Sequence, residues 1–384
     1  NRFILGEAPT VQNFFVAAGF NSQGILASPG VGQVMAEWVV NGRPDVDLSD
    51  LDISRFVGYE TNERFLKSRI SESLGLLYAM HWPHRQFETA RDIRRTPLYH
   101  ALKAHNACFG SVAGVERANW FAPKGQVPAY EYSYGRQNWF EAVGQEHRAA
   151  RERVALFDLS TFAKALVQGR DACAFLNRVV AAEMDRPVGS VIYSQMLNER
   201  GGIMSDLTFT RLEKDCYLMV TAAAQQARDM TWLRQHIRPD EFVTLTDVTA
   251  GYGTLAVTGP RARELMQRVS DADFSNEAFP FGTARYIDVG YANCLALRIS
   301  YVGELGWELY PTVDYLEPIF NALLEQGAEL GLHLAGYHAL DSLRSEKGFV
   351  HWGHDVSPTD TPVEAGIDFA VSRKKLHFTG AEAI

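Results

Sequence analysis

Residues 167–179, "VQGRDACAFLNRV", and residues 257–269, "VTGPRARELMQRV", share residues at matching offsets. Val167 aligns with Val257, Gly169 with Gly259, Ala172 with Ala262, Arg178 with Arg268, and Val179 with Val269. Each copy reads as the end of a strand, a turn glycine and a helix, with Asp171 suited to cap the first helix and Pro260 to open the second. Each is followed by strands and a further helix: "CYLMVTA" then "AQQARDMTWLRQHI", and "CLALRIS…WELY" then "YLEPIFNALLEQG". The repeat predicts a duplicated α+β unit from about residue 150 to 330. Duplication tends to place a site where the two halves meet.

The rest of the chain sets limits around that unit. At 384 residues it is long enough for two or three domains, and its 46% hydrophobic and 22% charged residues describe a globular protein. A net charge of -9 argues against nucleic acid or an anionic membrane surface as partner. No apolar run approaches the roughly 20 residues that span a bilayer. Cys108, Cys173, Cys216 and Cys294 are scattered and form no CxxC pair, which suits reduced thiols in a reducing compartment. A start at Asn1 and an end inside "FTGAEAI" suggest a piece of a longer protein.

Ahead of the repeat, "FFVAA" at 14–18 reads as a buried strand, "GFNSQGILASPGVG" as a glycine-rich loop, and "QVMAEWVVNG" as a helix ending at Gly42. Strand, glycine loop and helix together can present backbone N–H groups to a phosphate or an electron-poor ring, although GxGxxG is absent. Leu66, Ile70, Leu74 and Leu77 recur at helical spacing. "HWPHRQF" has Pro83 between its two histidines and reads as a solvated loop. His351 and His354 form a second HxxH, again without further ligands on the same face, so no metal site is expected.

Two stretches carry candidate chemistry. In "YSQMLNERGGIMSDLTFTR", 193–211, Gly201-Gly202 makes a hairpin turn and Asp206 stands in the returning strand among Ile203, Met204, Leu207 and Phe209. A carboxylate there needs a partner, solvent or a task. In "SYVGELGWELY", 300–310, Glu304 lies between Gly303 and Gly306, ahead of Trp307, Glu308 and Tyr310. Paired glycines are unusual in a plain strand, so the segment is either a bulged edge strand or the floor of a binding site.

"RVALFDLSTFAK", "YSQMLNERGGIMSDLTFTR", "VTGPRA", "RISYVGELGWELY", "ALDSLRSEKGF" and "TPVEAG" together resemble the glycine-cleavage T-protein (aminomethyltransferase) family. Upstream, "NFFVAAGFNSQGILASPGVGQVMAEW" resembles the closing segment of a D-amino-acid-oxidase-like flavin domain. "RDIRRTPLYHALKAHNACFGSVAGVERANWF" resembles the central region of dimethylglycine and sarcosine dehydrogenases. The resemblance implies an α+β T-protein-like fold with its internal duplication. It divides the chain into a flavin-domain end at 1–45, a central linker domain at 46–97, and a folate-binding domain at 98–384 whose C-terminal barrel lies beyond the sequence. It implies FAD and tetrahydrofolate as cofactors, an N-methylated amino acid as substrate, a flavin domain in the same longer chain, and a bacterial cytoplasmic or mitochondrial matrix setting.

Residue by residue, Asp206 matches the family's essential aspartate and Glu304 the glutamate that holds the pterin ring. Tyr193, Tyr217 and Met219 match folate-pocket walls, Trp307 or Tyr310 would pack near the ring, and Arg344 matches an arginine near the site. Asn21, Ser22, Gly24 and Ile25 would contribute to the flavin site. Leu340 replaces a T-protein arginine, which leaves open how the folate glutamate tail is held. The same fusion is similar to the regulatory subunit of pyruvate dehydrogenase phosphatase, so a non-catalytic regulatory role is the alternative. A folate-dependent RNA-modifying relative is disfavoured by the acidic charge.

Overall fold

The computed structural model describes residues 2–384. The first part holds a hairpin of β1 (Ile4–Glu7) and β2 (Phe15–Ala18), then α1 (Gly24–Asn41) and α2 (Glu63–Gly75). "FFVAA" forms a strand, but one of a two-stranded hairpin and only partly covered rather than buried. The stretch read as a glycine-rich loop is helical from Gly24 onward, with Pro29 inside the helix and a left-handed Gly42 closing it. Asn62 caps α2 through its side chain, while Leu66, Ile70 and Leu74 face outward.

Next come β3 (Arg94–Arg95), α3 (Tyr99–Ala104), β4 (Ala107–Val112), β5 (Val115–Phe121), α4 (Phe140–Glu152) and β6 (Val154–Asp158). The first repeat is β7 (Ala163–Gln168), α5 (Ala172–Val179), β8 (Val191–Leu197), β9 (Ile203–Glu213), β10 (Cys216–Thr221), α6 (Gln226–His236) and β11 (Thr244–Asp247). The second is β12 (Leu255–Thr258), α7 (Ala262–Val269), β13 (Ala284–Val289), β14 (Ala292–Leu297), β15 (Gly306–Tyr310), α8 (Val313–Gly327) and β16 (Leu332–Leu334), followed by α9 (Tyr337–Glu346).

The duplication is visible in the strand orders, β11-β7-β10-β9-β8 in one sheet and β13-β14-β15-β12-β6-β16 in the other. Register matches as well: Val167 pairs with Tyr217, and Val257 with Trp307. Gly169 and Gly259 both have positive φ, +134° and +126°, and a Cβ on either would collide with a backbone carbonyl, of Phe242 and Arg153 respectively. Only glycine meets both demands. The predicted caps differ in detail. Asp171 spends its carboxylate on the Phe242 N–H at 2.7 Å instead of its own helix, and Pro260 precedes the helix rather than opening it.

Each sheet is covered on both faces. Outside the first sheet, Val167, Phe209, Tyr217 and Met219 pack on Phe175 and Leu176 of α5 and Met230 and Leu233 of α6. Outside the second, Val257, Trp307 and Leu309 pack on Leu265 and Met266 of α7 and Leu316 and Phe320 of α8. Between the sheets lie Leu218, Val220, Leu295, Leu297 and Tyr310. The pleat therefore decides which residues of β8, β9, β10 and β15 can serve an inter-sheet site. No helix among the described residues is long and apolar enough to cross a membrane.

Candidate functional site

Asp206 is set by the β8–β9 hairpin. Asn198 accepts the N–H groups of Arg200 and Gly202 at 3.0 and 2.9 Å, and Gly201 turns the chain at φ +77°. In the ladder, Gln195 sits directly opposite Asp206 and Tyr193 opposite Thr208, so their side chains share one face. Gln195 donates through Nε2 to Asp206 Oδ1 at 3.0 Å. Burial pushes the Asp206 carboxyl up to about 6, against hydrogen bonds from Tyr193 and Gln195 and the charge of His351. Burial and Asp206 hold the Tyr193 hydroxyl far above its ordinary range. The Tyr193 ring stacks on Phe369 at 6.0 Å, and both line a cavity of about 240 Å³ together with Glu183, Arg186 and Val371.

A turn after α9 completes this surround. Arg344 is buried and pairs with Asp341 at 2.6 Å and with Asp355, while donating to the Phe349 carbonyl. Asp355 accepts the His351 N–H at 2.9 Å. His351 lies 3.9 Å from Asp341, whose carboxyl is held well below the usual range by His351 first and Arg344 second. Arg344 thus holds the turn rather than offering a free cation. Leu340 is buried in apolar packing.

Several expected wall residues lie elsewhere. Alternation turns Tyr217 and Met219 to the helix side of β10, where Tyr217 donates its hydroxyl to the Met184 carbonyl at 3.0 Å. Trp307 is likewise on the helix side of β15, 5.3 Å from Phe274, and cannot pack on a ring between the sheets. The glycines of "SYVGELGWELY" meet backbone needs: Gly303 turns at φ +70° against Lys347, and Gly306 lies against Val257 and Thr258 of β12. Glu304 belongs to that turn, where its Oε1 meets Arg151 at 2.9 Å and Lys347 at 3.5 Å.

The acid of this stretch that points between the sheets is Glu308. It is 8% exposed, accepts from Tyr310 at 2.6 Å, and is raised by burial against that bond and the charge of Lys164. Lys164 is buried too and is lowered to about 8, chiefly by burial. Glu308 stands in the sequence only as a neighbour of Glu304 with no role assigned, and Gln195 is not singled out there. The signal for Glu308 was its strand alternation with Trp307 and Leu309.

Near the N-terminus, Asn21 and Ser22 form a turn with φ of 38° and 70°, Gly24 begins α1, and Ile25 is 96% exposed. The described residues contain no group of three or more His, Cys, Asp or Glu arranged to hold a metal ion.

Residues 98–375 match the family model described as the GCVT N-terminal domain, and residues 41–96 that of the FAD dependent oxidoreductase central domain. The chain is 48% identical over 383 residues to a formaldehyde-forming 4-methylaminobutanoate oxidase of Paenarthrobacter nicotinovorans, covering 100% of this chain and 46% of that one. It is 36% identical over 421 residues to the mitochondrial sarcosine dehydrogenase of Mus musculus, covering 99% and 46%. The chain therefore spans under half the length of these relatives. Among solved structures, the glycine cleavage system aminomethyltransferase T from Bartonella henselae superposes with a TM-score of 0.64 at 26% identity, over 76% of this chain and 74% of that one.

Proposed function

The chain belongs to the GCVT N-terminal domain family, with an FAD dependent oxidoreductase central domain ahead of it, and from that premise we propose that it is the folate-handling part of a flavoenzyme that demethylates N-methylated amino acids. The substrate is of the dimethylglycine or sarcosine type and the product is 5,10-methylenetetrahydrofolate. FAD supplies the oxidation of the N-methyl group, and tetrahydrofolate supplies the two nitrogens that take up the released carbon. Asn21, Ser22, Gly24 and Ile25 give this chain a small share of a flavin site, since only the start of α1 there offers unpaired helix N–H groups.

The residues between the sheets fit a reduced folate better. A pterin edge presents N–H donors side by side, and Glu308 keeps a carboxylate oxygen that no protein hydrogen bond occupies. Tyr193 and Phe369 offer flat apolar faces to the ring or its benzoyl extension. Asp206 carries the reading. A sheltered carboxyl near 6, already held by two donors, is poised to take a proton from a folate nitrogen and stabilise positive charge beside it.

Asp206→Asn keeps shape and removes charge. In the protein joined to its flavin domain, the variant should reduce flavin with amine at the normal rate and bind tetrahydrofolate within a few-fold of normal. Methylenetetrahydrofolate formation should drop by a factor on the order of 10²–10⁴, with free formaldehyde appearing instead. Normal product formation while formaldehyde is scavenged would remove Asp206 from the reaction.

A further inference from the structure

Gln195 is fully buried on β8, and its side-chain carbonyl Oε1 has no hydrogen-bond partner, although its Nε2 donates to Asp206. The amide orientation is fixed by chemistry, because the reverse would set a carbonyl oxygen against a carboxylate oxygen. A methionine would fill the same space without leaving an orphaned acceptor in the interior. A buried polar group retained with one half unused points to a partner that arrives with a ligand.

We propose that Gln195 positions Asp206 and receives the ligand at once, its N–H fixing one carboxylate oxygen while its carbonyl accepts an N–H from the bound reduced folate. This rests on the reading of the site as a folate site. The donor half acts on protonation. An N–H aimed at Oδ1 favours the charged carboxylate, so removing it moves the Asp206 titration further up from about 6. The other groups acting on Asp206 are Tyr193 from its own hairpin, Tyr301 from the turn before β15, and His351 from the turn after α9. All of them remain in the variant. The acceptor half acts on affinity, since a folate N–H would lose the acceptor that Gln195 Oε1 supplies.

The test is Gln195→Met, read in this chain. Urea unfolding should show a cooperatively folded variant, somewhat less stable than the parent at neutral pH because the buried Asp206 carboxylate loses a donor. The deficit should shrink as pH falls and the carboxyl protonates. Isotope-edited infrared titration of the aspartates, without ligand, should show the Asp206 carboxyl titrating at higher pH. Calorimetry with tetrahydrofolate should show binding weakened on the order of ten-fold. Gln195→Glu keeps an acceptor while losing the donor, and raises the Asp206 titration further. An unmoved titration in a folded Gln195→Met variant overturns the positioning half, and an unmoved dissociation constant overturns the contact half. If the parent chain itself fails to bind tetrahydrofolate, the folate reading fails, while the titration still decides the role of Gln195.

Discussion

Glu304 and Glu308 are four residues apart and differ in the charges around them and in the face they present. Glu304 stands in a turn, its Oε1 facing Arg151 and Lys347. Glu308 stands in a strand, facing the inter-sheet space with one bond from Tyr310. Glu308→Gln puts an N–H where a donor edge needs an acceptor and should weaken tetrahydrofolate binding by roughly 1–3 kcal/mol. Glu304→Gln should leave that dissociation constant unchanged and alter stability by about 1 kcal/mol or less. Calorimetry on both variants separates them, and the opposite ranking would return the ring-binding role to Glu304. Asp206 was legible from sequence because an acid among Ile203, Leu207 and Phe209 breaks the apolar pattern. The role of Glu308, an acid visible in the same stretch as Glu304, was not, because alternation names a face only once both faces of the strand are known to be covered.

At the scale of elements, the clearest sequence signal was the repeated strand, glycine and helix, and its cause is steric. Gly169 brings the chain within reach of Phe242, and Gly259 brings it against Arg153, each in a conformation that L side chains rarely adopt. Gly169→Ala and Gly259→Ala should each destabilise the fold by about 1–3 kcal/mol, more if the neighbouring backbone cannot move. Urea midpoints of the two variants would show it. Wild-type midpoints would mean that the repeat is a relic without mechanical weight. Other elements were harder to read for physical reasons. Glycines and a proline at 24–32 disguised the first half of α1, whose helix persists through Pro29. The apolar stripe of α2 suggested burial, yet Leu66, Ile70 and Leu74 are exposed, since periodicity reports a helix and not what lies beside it.

Across the whole molecule, residues 2–97 are joined to the rest of the chain by polar and aromatic contacts rather than by a shared apolar core. Trp82 stacks on Tyr132 at 6.3 Å, His84 lies 4.5 Å from His338, and the Gln86 N–H donates to the Tyr132 hydroxyl at 2.9 Å. The strongest tie is Glu116 of β5, 1% exposed, which accepts from Arg91 Nε at 2.8 Å and from the Asp92 N–H at 2.9 Å. Arg91→Met would strand that carboxylate in the interior. The expected loss is about 3–5 kcal/mol, the range for breaking one side of a buried pair. It should appear as a lower urea midpoint and as early proteolytic cleavage between residues 80 and 96, while the repeats stay protected. Replacing both partners, as Arg91→Met with Glu116→Leu, removes the uncompensated charge and should recover most of the loss. If the double variant is no better than the single one, the tie works through the packing of the arginine stem. If the single variant unfolds like the parent, this segment is held by its other polar and aromatic contacts.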